Sequence, residues 1–105
     1  MKKKNIISLV ENYKAKLEKA NIPISAIYIF GSAARGNMHK GSDIDVCVIS
    51  PKFGKNRQEE RLLLMKLQRG ITDLIEPHPL SPEDLLDKYN PIGREIQRSG
   101  IMMPF

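Results

Sequence analysis

The amino-acid sequence predicts an α/β fold of the α+β kind, a small β-sheet backed by helices. Three observations carry this: helix-like and strand-like patterns alternate along the chain, their connections are short, and no repeat or low-complexity run interrupts them. With 105 residues, 41% hydrophobic and 28% charged, the composition is that of an ordinary globular protein, and residues 1–105 read as one domain.

The elements follow in order. Ile6, Val10, Tyr13, Leu17 and Ala20 step by four and three residues in turn, the apolar stripe of an amphipathic helix, with Asn5 as N-cap and an end near Asn21, ahead of Pro23. Residues 24–30, ISAIYIF, are β-branched and aromatic and run straight into Gly31, as a strand ending in a turn does. Residues 43–50, DIDVCVIS, form a second strand that Pro51 and Gly54 close. Residues 56–69 read as a helix, with Asn56 and Glu59 at capping-box spacing and Gly70 just past the end. A third strand is expected over residues 71–77, ITDLIEP, stopped by Pro77. Ser81-Pro82 and Asn90-Pro91 each put a capping side chain before a proline, so a short helix should follow each. The apolar ending, GIMMPF, is expected to add an edge strand.

Charge and cysteine usage narrow the function classes. The net charge is +5, but Lys14, Lys16 and Lys19 fall on the polar side of the first helix and Lys2, Lys3 and Lys4 on a tail, with no aromatic residues interleaved to stack bases. A solvated exterior explains that charge better than a nucleic-acid surface. No window approaches the ~20 consecutive apolar residues of a membrane span, so the chain reads as cytoplasmic and unprocessed. Cys47 is the only cysteine, which excludes an internal disulfide, and its apolar neighbours give it a core role.

The chemistry concentrates in residues 30–46, FGSAARGNMHKGSDIDV. On a strand, residues two apart share a face, so Asp43 and Asp45 point together while Ile44, Val46 and Val48 point the other way. Paired carboxylates at a partly buried site call for a cation, and oxygen-only ligands suit Mg²⁺, which is usually shared with substrate phosphates. Gly31 lets the chain turn closely, so the amides that follow, with the Ser32 hydroxyl, can face an anion at a helix start. Arg35, just after that turn, reads either as a surface arginine or as a phosphate contact. His39 and His78 read as loop histidines, since neither has a second ligand at zinc-like spacing. There is no G-x-G-x-x-G, and GSAARG lacks the Gly-Lys-Ser/Thr of a P-loop. A glycosidase needs its acids on opposing walls of a cleft rather than on one strand face.

Through Gly31-Ser32, Arg35-Gly36 and Ser42-Asp43-Ile44-Asp45, the sequence resembles the nucleotidyltransferase superfamily that includes DNA polymerase beta, and within it the minimal nucleotidyltransferases. The resemblance covers residues 24–76. It implies a small mixed sheet, a nucleoside triphosphate donor, most simply ATP, seated by Gly31, Ser32, Arg35 and Ser42, and two Mg²⁺ ions, with Mn²⁺ as the alternative, held by three acids. Asp43 and Asp45 are two of them; the family takes the third from a later strand. Asp73 and Glu76 compete for that place, and three positions apart they face opposite ways on a regular strand. Glu76 is preferred, because Asp73 shares its face with Ile71 and Ile75 and because IEPHP resembles the third-acid segment of one branch of the family.

The activity implied is transfer of a nucleoside monophosphate, AMP from ATP, to a hydroxyl with release of pyrophosphate. The alternative is a binding module that keeps the nucleotide site and regulates a helical partner without turnover. Only about thirty residues follow the third acid, so the acceptor is expected to be positioned by something else. The resemblance implies a small all-helical partner, a HEPN-like toxin, for which this chain would be the antitoxin. Nucleic acid as acceptor is not indicated, and Ile101 to Phe105 are a candidate partner or homodimer contact.

Overall fold

The computed structural model describes residues 3–36 and 43–105. In chain order the elements are α1 (Lys3–Lys19), β1 (Ala26–Phe30), β2 (Ile44–Ile49), α2 (Arg57–Leu67), β3 (Ile75–Leu80), α3 (Pro82–Leu86), α4 (Pro91–Ser99) and β4 (Ile101–Met102). The strands make one mixed sheet in the order β3-β2-β1-β4. Strand β2 runs parallel to β3 and antiparallel to β1, and β4 adds to the outer side of β1. The expected small sheet backed by helices is present, with the edge strand at the apolar ending. Among the described residues no helix is long and apolar enough to cross a membrane.

Side chains alternate across β2 and divide the interior into two cores. Ile44, Val46 and Val48 join Ile27, Ile29 and Ile75 beneath α1 and α2, where Ile6, Val10, Tyr13, Leu17 and Leu64 are buried. Cys47 and Ile49 face the other side with Phe30, Leu80 and Ile96, packed against Leu85 of α3 and Ile92 of α4. Burial on both faces is why this strand reads as an almost continuous apolar run.

Helix α1 departs from expectation at both ends. It begins at Lys3, so Asn5 lies inside it rather than capping it, and Lys3 and Lys4 are helical rather than a tail; lysine propagates a helix better than asparagine does. Lys2, His39 and Ser42 lie outside the described residues. At the other end Ala20 is exposed rather than part of the buried stripe. Asn21 adopts φ +64° and the Ile22 amide donates back to Leu17 O at 3.2 Å, so the turn returns Ile22 to the core instead. In α2, Asn56 accepts from the Glu59 amide as expected (3.1 Å), but the carboxylate that reaches back belongs to Glu60, which accepts from the amides of Gly54, Lys55 and Asn56.

The larger correction is β3. It spans Ile75–Leu80, not residues 71–77, and it passes through Pro77 and Pro79. Its even-numbered residues turn their backbones toward β2, with the Ile44 amide donating to Leu74 O (2.6 Å) and the Ser50 amide to Leu80 O (3.0 Å). Both prolines therefore point away from β2, along the sheet edge, where no ladder hydrogen bond is lost. They also deny that edge to a further strand. Gln68 at the end of α2 ties the edge down, its Nε2 donating to Thr72 O and Ile75 O.

Tyr13 links the two helices of the first core: its hydroxyl donates to Leu64 O at 2.7 Å, and burial holds that hydroxyl protonated far above the usual range. Tyr13→Phe should lower the unfolding free energy by about 1 kcal/mol, read as a shifted urea midpoint at unchanged slope. Burial pushes the Cys47 thiol up to about 12. A thiol reagent at neutral pH should accordingly label Cys47 no faster than the protein unfolds; rapid labelling under native conditions would contradict the two-sided burial of β2.

Candidate active site

Strand register builds the site. Asp45 sits directly between Phe30 of β1 and Glu76 of β3, and Cys47 lies opposite His78. Alternation then puts Asp45, Glu76 and His78 on one face of the sheet. His78 Nε2 is 3.3 Å from Asp45 Oδ1 and 3.9 Å from Glu76 Oε1. Beneath them the Phe30 ring meets the His78 ring edge-on at 5.1 Å. His78 is the deepest of the three, its side chain 11% exposed against 29% for Asp45 and 40% for Glu76.

Charge is unevenly balanced here. Burial raises the Asp45 carboxyl above its ordinary pKa, and the charges of Glu76 and Glu95 push the same way, against the His78 hydrogen bond. Burial lowers His78, so the imidazole is neutral at neutral pH and donates from Nε2 to Asp45, while its Nδ1 is buried without a partner among the described residues. From α2, Arg61 Nη2 reaches Glu76 Oε1 at 3.3 Å, and Arg61 Nε is buried with no partner among the described residues. Among the described residues the side chains leave Asp45 incompletely compensated, a deficit that a cation would fill.

The donor set passes that test. One atom each from Asp45, Glu76 and His78 lies within 4.8 Å of the others, the reach of a single ion. The two carboxylates suit Mg²⁺ or Mn²⁺, whereas the His78 Nε2 is engaged by Asp45 and serves to hold that carboxylate rather than the ion.

The structure places the remaining predicted residues as follows. Gly31 ends β1 at φ +70°, and a Cβ there would collide with Asp45 Oδ2, so the turn and the carboxylate share space that only glycine leaves open. Residues 31–36 form a turn closed by the Arg35 amide on Gly31 O (3.2 Å) rather than the start of a helix. Ser32 is half-buried in that turn, and the exposed Arg35 pairs with Glu95 at 3.6 Å. Asp43 is exposed and precedes β2 instead of opening it, so it is not among the three clustered donors. With Asp73, Arg61 and Glu76 it lines a cavity of about 820 Å³ between α2 and β3. Asp73 is exposed in the loop before β3, and Glu76 is the residue opposite Asp45. His78 is a buried strand residue, not a loop histidine, because β3 continues past Pro77. The signal for it was its position two residues beyond Glu76, on the same strand face.

A sheet of this topology, with a glycine turn packed against one carboxylate and a second carboxylate paired to it across parallel strands, defines a class that comparison with known proteins identifies. The chain belongs to the nucleotidyltransferase domain family, whose model matches residues 10–95. It is 46% identical over 43 residues to the protein adenylyltransferase MntA of Shewanella oneidensis, covering 40% of this chain and 31% of that protein. It is 34% identical over 58 residues to a spectinomycin 9-adenylyltransferase of Staphylococcus aureus, covering 51% of this chain and 22% of that one. The matches thus span less than a third of either curated relative. Among solved structures, a protein described as a nucleotidyltransferase from Sulfolobus solfataricus superposes with a TM-score of 0.66 at 18% identity, over 93% of this chain and 78% of that one. A toxin–antitoxin structure with AMP-PNP superposes with a TM-score of 0.56 at 26% identity, over 89% of this chain and 71% of that one.

Two outcomes test this geometry. Because the folded-state pKa of Asp45 lies above its unfolded value, its charged form costs stability at every pH above the folded value, a cost that disappears in acid. Asp45→Asn, which still accepts from His78, should therefore raise the metal-free thermal midpoint at pH 7. Gly31→Ala should lower that midpoint and displace the Asp45 carboxylate, read as weakened Mn²⁺ binding by calorimetry; unchanged binding would contradict the shared space between them.

Proposed function

We propose that the chain is a metal-dependent nucleotidyltransferase that moves AMP from ATP to a hydroxyl group of a helical partner protein. The observation that carries this reading is the pairing of Asp45 with Glu76 across parallel strands, beside the Gly31 turn. The adenylyl group is supported by the two curated relatives, both adenylyltransferases by name. The protein acceptor is supported by the name of MntA and by the toxin–antitoxin neighbour with AMP-PNP.

In this reading Asp43, Asp45 and Glu76 hold two divalent ions. Bound ions supply charge neutralisation of the triphosphate and a lowered pKa for the attacking hydroxyl. His78 acts as a positioning residue: its Nε2–H fixes one oxygen of Asp45 and leaves the other to face the ligand. Arg61 neutralises Glu76 from the side of α2 and keeps it aimed at the site. The Gly31-Ser32 turn and Arg35 receive the triphosphate, orienting the α-phosphorus for in-line attack. The acceptor hydroxyl gives up its proton to solvent and its oxygen bonds to that phosphorus, while the bond from phosphorus to the bridging oxygen breaks and pyrophosphate leaves.

The test uses the chain co-expressed with the product of the adjacent gene as the candidate partner, with ATP and either Mg²⁺ or Mn²⁺, read by intact mass and pyrophosphate release. An AMP adduct on the partner is expected. Asp45→Asn and Glu76→Gln should each lose at least about 100-fold in rate, more than the 10–100-fold expected of His78→Asn, a change outside the ligand set. Asp73→Asn should stay near wild type; the reverse ranking of Asp73 and Glu76 would move the site to Asp73. A nucleotide-dependent complex with the partner and no pyrophosphate release would overturn the enzyme reading in favour of a regulatory binding module.

A further inference from the structure

Helix α4 carries charge that the catalytic reading leaves unused. Arg94 and Arg98 stand one turn apart on it, and among the described residues neither has a carboxylate partner. Together with Arg35, Glu95, Pro91 and Ser99 they line an open cleft of about 550 Å³. Three guanidinium groups against one carboxylate leave this cleft two charges positive. It adjoins the acidic cluster, since the charge of Glu95 bears on Asp45 and Arg35 follows the Gly31 turn.

The placement of α4 is built in rather than incidental. Asn90 caps it by accepting from the amides of Ile92 and Gly93, and Ile96 is buried in the second core. Gly93 lies flat on α3, where a Cβ would come within 2.6 Å of Asp84 O and 3.0 Å of Leu85 O. With one side of α4 on the sheet and another on α3, Arg94 and Arg98 stand on its outer side, between the cleft they share with Arg35 and a second one they share with Asp87 and Lys88.

We propose that Arg94 and Arg98 form, with Arg35, a polyphosphate-binding cleft that takes the tail of the nucleoside triphosphate, and that Glu95 holds Arg35 in place until the phosphates displace it. The choice of ligand follows from the lining. Guanidinium forks match phosphate oxygens in pairs, and the cleft has no aromatic ring on which a nucleic-acid base could stack. Arg35 is already held beside the Gly31 turn by Glu95, so exchange of one anion for another requires little movement. The cleft lies on the β1 side of the acids, and the cavity containing Asp43 and Arg61 on the β3 side. The identity of the polyphosphate as a nucleotide tail rests on the nucleotidyltransferase reading; the anion site itself does not.

Calorimetric titration of the full chain with inorganic tripolyphosphate, without metal and at low salt, tests the cleft. The R94A/R98A variant should lose at least about tenfold in affinity, the loss of charge-assisted contacts at two side chains. Lys19→Ala with Lys55→Ala removes the same charge elsewhere and should retain wild-type affinity, while Glu95→Gln should bind more tightly than wild type. Equal losses in the two double variants, or none in R94A/R98A, would overturn the proposal. In the transfer assay R94A/R98A should raise the KM for ATP. An unchanged KM with transfer intact removes the cleft and leaves the transferase; tripolyphosphate binding through Arg94 and Arg98 without any AMP transfer keeps the cleft and removes the transferase.

Discussion

The parallel pairing of β2 with β3 is the constraint on which the rest of the molecule depends. It is one ladder six residues long, and it sets Asp45 against Glu76 and Cys47 against His78. A slip of one residue would send Glu76 and His78 into the core beneath α1 and α2 and bring Pro77 and Pro79 onto the site face. Burial forbids the slip: Ile75 belongs to one core and Leu80 to the other, so the register that satisfies both also assembles the acids. The two prolines agree with it, since in this register their missing amides fall on the open edge. Packing, not attraction among polar groups, brings the site together.

Held by that packing, the polar groups are not at ease. Asp45 is partly desolvated beside Glu76, and His78 is buried and neutral with one nitrogen unpartnered. Neighbouring elements offset this from two directions, Arg61 of α2 reaching Glu76 and the basic side of α4 flanking the Gly31 turn. A cluster of acids kept short of counter-charge binds a cation more readily than one already satisfied, and a polyphosphate arriving with that cation completes the balance. The conflict between stability and ligation is thus local to residues whose chemistry requires it.

How much of this was written in the order of residues depended on whether a signal was local. The alternation of helix and strand, the capping asparagines and serine ahead of Pro82 and Pro91, and the apolar stripe of Ile6, Val10, Tyr13 and Leu17 are signals read within a few residues, and the elements they announced are present. Gly31-Ser32 and Asp45 were legible for the same reason, as a glycine turn ending one strand and an acid on the next. What misled were local rules whose outcome depends on a neighbour. A proline stops a strand only if its amide is needed, and at Pro77 it is not, because among the described residues that side of β3 has no strand partner. His78 passed for a loop histidine as a consequence of that one misplaced boundary.

The sequence by itself therefore determined the class of fold, the glycine turn and the acids available, because hydrophobic period, caps and turn residues act through the chain's own nearest atoms. Tertiary structure alone decided which of those acids meet. Asp73 and Glu76 differ by three places in the chain, yet one is exposed in a loop while the other faces Asp45, an outcome set by where β3 begins against β2. It alone set His78 under Asp45 and brought Arg94 and Arg98 into one cleft with Arg35, since those placements depend on how a helix and two strands far apart in the chain pack around shared cores, and no local propensity encodes them.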